Sequence, residues 1–391
     1  MNRNEKYFVA LISSHLNNQP PPPPENTDWE EIYRLAGIHN VCAIIANQIF
    51  MLKPEEQPNA ETLSKFRQQM GYTVIDSDEK KQSRDYIRKL FTENKMEYMF
   101  VKGAILRNYY PVKDFRTGSD TDVLIRNKDM DKCRCLIEKA GFKTENSSRN
   151  VISAYYNKQH IEIHSDLDYD NPFFQNIFDM CERKGYEYII GDQLHLLYVM
   201  CHIIKHFNMC GAGIKMFMDI DVLIRHMENF DYNDFMEQCR DIRIETFARA
   251  SLALCAYWFG TPVNTDIDLN NDTKLRNLFE TEIMKSGNFG FNARDLGDYY
   301  INKGMGSSGK NGLFSKLRAL IALLFPEKRY LMNQYAYTQR RPYLLPLAWV
   351  NRLFDAVLKR KEHSKNTVRS ILSKGDETEQ YKKLLTELDI Q

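Results

Sequence analysis

The chain has no CxxC pair, no zinc-like cysteine spacing and no internal repeat, and its longest apolar runs, such as residues 319–325, are far too short to span a bilayer. Its eight cysteines, Cys42, Cys133, Cys135, Cys181, Cys201, Cys210, Cys239 and Cys255, fall mostly in apolar helical stretches. They read as buried thiols of a cytoplasmic protein in a reducing compartment. The opening MNRNEKYFVALISSHL lacks both a long apolar core and a small-residue cleavage site, so it is not read as a secretory signal. Charge of one sign is not in excess either. Against 53 Lys and Arg stand 52 Asp and Glu, and the formal net charge of +1 gives no overall field toward nucleic acid or an anionic membrane. Together these absences disfavour a disulfide scaffold, a zinc module, a solenoid and a membrane-spanning protein. What remains is a globular chain of 391 residues, 43% hydrophobic, long enough for two or three structural units.

Three regions follow from the pattern. Residues 1–95 read as helical, interrupted by five prolines at 20–24 that predict an extended linker or stiff turn. Within this region, residues 78–95 place Tyr86, Ile87, Leu90 and Phe91 on one apolar face. Residues 96–190 change character. A short apolar run ends at Gly103, TDVLIR at 121–126 is β-branched and apolar, and two more strand-like segments lie between 150 and 166. A helix is predicted over 128–140, with Asn127 as N-cap and Gly141 as stop. Residues 191–391 return to helical periodicity: one helix from Asp192 through His206, others over 215–227 and 233–259, a Gly-, Asn- and Ser-rich loop at 287–312, and an amphipathic helix at 344–360. The expected fold class is α+β, a small mixed β-sheet with largely helical N- and C-terminal flanks.

The chemistry concentrates in the middle region. If TDVLIR is a strand, period-two geometry puts the Asp120 and Asp122 carboxylates on one face and turns Thr121 and Val123 into the fold. Two adjacent carboxylates repel each other unless a cation compensates them, and Mg²⁺, with Mn²⁺ as the alternative, suits such an oxygen site shared with substrate phosphates. Upstream, FVKGAILRNYYP reads as strand, turn and helix, with Gly103 letting backbone amides approach an anion. Lys102 and Arg116 are the candidate charge partners there, and Ser119 and Lys205 join them as candidate nucleotide or phosphate contacts. Downstream, QHIEIHSDL alternates His160, Glu162 and His164 against Ile161 and Ile163. Glu162 is therefore the third candidate metal ligand, or the base for the attacking hydroxyl.

The order KG, RTGSDTDVLI, a helix ending in GF, a hairpin, IEIH, and then an HxxxH helix with KMFMDIDVLI resembles the nucleotidyltransferase superfamily. More narrowly, it is similar to the bacterial group of uncharacterised nucleotidyltransferases. The likeness is closest over residues 101–224, and the tail FPEKRYLMNQYAYTQRRPYLLPLAWVNRLF resembles the same group. The resemblance implies a Gly-Gly or Gly-Ser turn, a DxD and a later acid, matched here by Gly103 with Ala104, Asp120 with Asp122, and Glu162. Ala104 stands where the second Gly or Ser is usual. The implied activity is metal-dependent transfer of a nucleoside monophosphate from a nucleoside triphosphate, ATP being one candidate, to an unidentified hydroxyl acceptor, a sugar or small molecule ahead of protein or RNA. Two readings from other classes stand beside it. One is a catalytically weak or inactive nucleotide-binding or partner-binding regulatory protein of the same fold; the other is an interaction protein for which the acids are incidental.

Other constellations carry blander readings. His202 and His206 have helical metal-compatible spacing but no HExxH glutamate, which favours a structural or substrate-lining role. Asp219 and Asp221 subtend about 200° on a helix, so only one, Asp219, is expected to face the cleft, with Asp221 a surface acid. Lys215 reads as an exposed lysine before a triphosphate ligand. The tail tyrosines Tyr330, Tyr335, Tyr337 and Tyr343 read as packing, and the basic residues from Arg340 to Lys361 as a solvated face.

Overall fold

The computed structural model describes residues 1–145, 150–167, 171–209, 211–288, 342–358 and 376–390, with residues 321, 324, 325, 331 and 338. The chain opens with helix α1 (Arg3–Leu16), started by a capping box in which the Asn2 side chain accepts from Glu5 N at 2.9 Å and Glu5 accepts from Asn2 N at 2.7 Å. Its Phe8, Leu11, Ile12 and Leu16 are buried at helical spacing. The proline run carries no regular structure and is tied back where Tyr7 donates its hydroxyl to Pro22 O at 3.0 Å. Helices α2 (Trp29–Ile38), α3 (Cys42–Ile49) and the 34-residue α4 (Ala60–Glu93) follow. Asp28 and Asn59 cap α2 and α4 by accepting from the first-turn amides.

Among the described residues the sheet has seven strands, in the order β3-β4-β5-β2-β1-β7-β6. They are β1 (Tyr98–Phe100), β2 (Asp120–Ile125), β3 (Lys143–Glu145), β4 (Val151–Tyr156), β5 (Gln159–His164), β6 (Glu182–Lys184) and β7 (Glu187–Ile189). The sheet is mixed: β2 runs antiparallel to β1 and parallel to β5, and β4 and β5 form an antiparallel hairpin. A four-residue helix α5 (Gly103–Leu106) and α6 (Met130–Lys139) lie between strands. The chain then continues in α7 (Asp192–Met209), α8 (Ile214–His226), α9 (Tyr232–Asp241), α10 (Glu245–Phe259), α11 (Thr273–Ser286), α12 (Leu345–Leu358) and α13 (Asp376–Glu387). The architecture is the expected α+β one, a mixed sheet with helical flanks.

Strand alternation divides the sheet into two faces. On one, Val123, Ile125, Ile161, Ile163, Ile152 and Ala154 are buried with Ile87 and Phe91 of α4 and Cys133 and Ile137 of α6. On the other, Met99, Val101 and Leu124 join the larger core of the flanking helices. That core includes both ends of the described chain: Asn17 at the end of α1 donates to Phe259 O at 2.9 Å, and Leu384 and Leu388 are packed in it.

Several local boundaries differ from the sequence reading. The helix expected from residue 128 starts at Met130 after a 3-10 turn at Asn127–Asp129, so Asp129 rather than Asn127 occupies the cap. The single helix expected over 233–259 is two, α9 and α10, because Arg243 takes a left-handed φ of 60° and reverses the chain without the glycine or proline that marks such a break. Cys133, Cys201, Cys239 and Cys255 are buried as expected of apolar thiols, whereas Cys135 is exposed. The loop expected from residue 287 begins with Gly287 in a positive-φ conformation, and its remainder from 289 lies outside the described residues. Tyr330, Tyr335, Tyr337, Arg340, Arg341, Lys359, Arg360 and Lys361 lie outside them too, while Tyr343 is exposed. No described helix is long and apolar enough to cross a membrane.

Candidate active site

The register of β2 against β5 sets the Asp122 Cα opposite that of Glu162 and the Asp120 Cα opposite that of His160. Because both strands alternate with period two, Asp120, Asp122, His160, Glu162 and His164 all project from the face opposite the buried isoleucines. A cleft of about 430 Å³ opens over Asp120, Asp122, Glu162 and His164, roofed by α7 and α8. Lys102, Gly103, Arg116, Ser119, Asp120, Asp122, Glu162 and Lys205 all line this one cleft, so the residues singled out from the sequence converge.

The three acids do not form one group. Asp120, His160 and Glu162 make one triad and Asp122, Glu162 and His164 another, each with its ligand atoms within 4.8 Å of one another. Glu162 is the shared member, and each triad adds an imidazole to two carboxylates. The His164 Nε2 lies 3.0 Å from Asp122 Oδ1 and 3.4 Å from Glu162 Oε2, and His160 Nε2 lies 2.7 Å from Ser153 Oγ. This oxygen-rich donor set, half-enclosed and bearing like charges, fits a divalent cation.

Electrostatics separate the carboxyls. Burial, followed by repulsion from Asp122, raises the Asp120 carboxyl above its ordinary range. Burial also works to raise Asp122, but the Lys102 ammonium and then His164 outweigh it and hold that carboxyl well below its ordinary range. The hydrogen bond from His164 lowers Glu162. Burial alone lowers His164, yet its hydrogen bonds to Asp122 and Glu162 raise it on balance.

Lys102 takes the position of a cation already. Its Nζ is 2.8 Å from Asp122 Oδ1, with both side chains largely shielded from solvent. Its backbone has φ 49° and ψ −129°, the first central position of a type II′ turn closed by Ala104 N donating to Val101 O at 3.3 Å. A lysine there is strained by about 1–3 kcal/mol. The fully buried His195 holds the strain: burial lowers its pKa to about 4, so the ring is neutral and Nε2 accepts the Lys102 N–H at 3.0 Å.

Gly103 serves the fold in a way the sequence reading did not foresee. A Cβ at Gly103 would lie 2.9 Å from Arg116 Cζ and closer still to Nη1. The glycine therefore makes room for a guanidinium. Arg116 is itself held by Asp219 of α8, with Nε to Oδ1 at 2.9 Å and Nη2 to Oδ2 at 2.7 Å, and Tyr110 donates to Asp219 Oδ1 at 2.7 Å. This buried network ties the loop before β2 to the helical roof.

Asp221 is not a surface acid: it is fully buried, accepts from Arg225 Nε at 2.9 Å and from Thr261 Oγ1 at 2.6 Å, and faces α10 rather than the cleft. Lys215 is not exposed. It retains 6% of its accessible surface, lines the cleft one turn before Asp219, and donates to Thr117 O at 3.3 Å. The i, i+4 spacing of Lys215 and Asp219 was the signal available in the sequence. His202 and His206 line the same wall with their Nε2 atoms 3.2 Å apart. His160 and His164 share the Glu162 face by strand alternation, and the structure adds one of them to each acidic triad.

Burial, with Arg116 nearby, brings the Lys215 ammonium from 10.5 down to about 7. Between those values the unfolded chain holds a proton that the native chain has released, so stability rises with pH across that window. The cost of burying the charge is present below it. Relative to Lys215→Met, the wild type is expected to gain up to about 1 kcal/mol per pH unit above neutrality. Urea unfolding of both proteins between about pH 6 and pH 10 measures it, and parallel curves refute it.

An α+β nucleotidyltransferase-type fold thus presents paired acids on adjacent strands beneath a basic helical wall. Residues 25–260, more than half of the chain, match the family described as uncharacterised nucleotidyltransferase, and the chain belongs to that family. Searches of curated proteins and of solved structures return no match.

Proposed function

We propose that the protein is an enzyme that transfers a nucleoside monophosphate from a nucleoside triphosphate to a hydroxyl acceptor, using Mg²⁺ or Mn²⁺ held by Asp120, Asp122 and Glu162. The observation that carries this reading is the parallel β2 and β5 register, which sets Asp122 beside Glu162 in the floor of the cleft. A divalent ion bound there would neutralise phosphate charge and lower the pKa of the acceptor hydroxyl. The imidazoles of His160 and His164 extend the donor set toward Mn²⁺ as readily as Mg²⁺.

The chain's own residues supply the rest. Glu162, kept ionised by His164, takes the proton of the attacking hydroxyl or ligates beside it. Lys205 at the exposed rim, Lys215 in the wall and Ser119 before β2 face the space above the acids and bind the triphosphate. Arg116, engaged with Asp219, positions the turn at Gly103 and contributes positive potential to the phosphates. In this reading residues 96–190 carry the catalytic groups and are flanked by regions 1–95 and 191–391, and α7 and α8 of the latter wall the cleft and select the acceptor, a sugar or other small molecule ahead of protein or RNA.

The Lys102 ammonium on Asp122 favours a second reading, a nucleotide-binding regulator whose counter-cation is built in. One variant separates the two. Glu162 is partly exposed, with 31% of its side chain accessible, so Glu162→Gln is expected to fold normally. In the enzyme, pyrophosphate release in Mg²⁺ or Mn²⁺ with pooled nucleoside triphosphates and acceptors falls about 10²- to 10³-fold. In the regulator, wild type and variant release none, and nucleotide still raises the melting temperature.

A further inference from the structure

We propose that Lys102 is an exchangeable counter-cation: a divalent ion displaces its ammonium from Asp122, and the freed ammonium then binds the phosphates of the incoming nucleotide. The inference rests on the metal reading of the acids and adds to it a role for a residue that otherwise only fills their site.

Three observations converge on it. First, the ion pair is shielded and short, Nζ to Oδ1 2.8 Å, and Asp122 also belongs to one of the two triads suited to a cation. One carboxylate oxygen therefore has two claimants. Second, the fixed charges at the floor do not balance without a further cation. The carboxylates of Asp120, Asp122 and Glu162 face one fixed cation, the Lys102 ammonium, with the imidazoles of His160 and His164 beside them. A divalent ion bridging the shared Glu162 compensates more of that charge than an ammonium held by one carboxylate. Third, the backbone of Lys102 is held in a conformation that favours glycine, by its N–H on His195 and by carbonyl contacts from Ile105 N at 3.0 Å and Leu106 N at 2.9 Å. Strain of this kind is kept where the surrounding structure over-determines it, and here it aims a long flexible side chain into the cleft from a fixed root.

The same root serves both positions. Lys102 lines the cleft together with Lys205 and Lys215, and its Nζ lies 5.9 Å from the Tyr198 ring centroid on α7, an aromatic face that receives a cation leaving Asp122. Without metal the lysine keeps three carboxylates from repelling one another. With metal it becomes a phosphate ligand. Nucleotide affinity is thereby coupled to metal occupancy by one side chain, without any movement of the fold.

The test uses the full chain and two probes, Mn²⁺ alone and inorganic triphosphate with Mn²⁺, both followed by calorimetry. Lys102→Met is expected to bind Mn²⁺ about tenfold more tightly than wild type and triphosphate about tenfold more weakly. Lys102→Arg, which keeps the charge and can hold the carboxylate with two donors, is expected to bind Mn²⁺ about tenfold more weakly, and it reads the competition even if the methionine variant does not fold. Lys205→Met removes an equal charge from the exposed rim and is expected to shift Mn²⁺ affinity less than twofold. Unchanged Mn²⁺ affinity in both Lys102 variants overturns the exchange while leaving the metal site standing. An equal shift in Lys205→Met reduces the effect to general charge and overturns it too. Absence of Mn²⁺ binding in every protein, wild type included, sinks the exchange and the metal reading together.

Discussion

Asp122→Asn is expected to lower nucleotidyl transfer about a thousandfold and to destabilise the protein at the same time. The catalytic loss follows from removing one carboxylate of the cation cluster, in the range that single preorganised electrostatic groups supply. The stability loss has a separate origin. With 5% of the Asp122 side chain exposed and Lys102 2.8 Å away, removing the carboxylate strands a shielded ammonium. Breaking a buried pair from one side costs about 3–5 kcal/mol. Because the folded carboxyl is held below its unfolded value of 3.8, the stability it contributes is complete at neutral pH and is lost as pH falls through and below that value. The two effects separate in a double variant. Asp122→Asn with Lys102→Met should recover most of the melting temperature and none of the transfer activity. Measured activity in the double variant would remove Asp122 from the chemistry, and a melting temperature as low as the single variant's would remove the pair from the stability argument.

Gly103→Ala is expected to be nearly as damaging, although it touches neither carboxylate. The added methyl meets the Arg116 guanidinium, which has no room to retreat without leaving Asp219. Both side chains are largely shielded, 10% and 8% exposed, so a broken pair again costs on the order of 3–5 kcal/mol. Arg116→Met, which leaves Asp219 its hydrogen bond from Tyr110 but no guanidinium, should produce a loss of similar size, and adding Gly103→Ala to it should cost little more. Denaturant unfolding of the three proteins reads this non-additivity directly. Additive losses would mean that Gly103 acts through its own backbone rather than by making room for Arg116.

These two positions show how unevenly the site was legible. The DxD, the alternating IEIH and the KG turn were visible in the sequence, as were an α+β class and the family they resemble. The partners were not visible: that Lys102 meets Asp122, that Arg116 meets Asp219, and that Lys215 sits in the wall rather than in solvent. A lysine in a helix reads as exposed by default, and only the packing of α8 over the sheet buries this one. Arg243 shows the same limit for the fold, since nothing in its residue type announces the left-handed turn that divides α9 from α10.

The sequence by itself determined which side chains share a face, because alternation along a strand is fixed by covalent geometry and needs no neighbour. It set Asp120 with Asp122, and His160 with Glu162 and His164. Tertiary structure alone decided that these two faces are one floor. The pairing of β2 with β5 joins segments separated by α6, β3 and β4, and a one-residue slip in it would turn Glu162 into the isoleucine core. What holds the register is burial of Val123, Ile161 and Ile163 on the opposite side, a non-local free energy that no single segment contains.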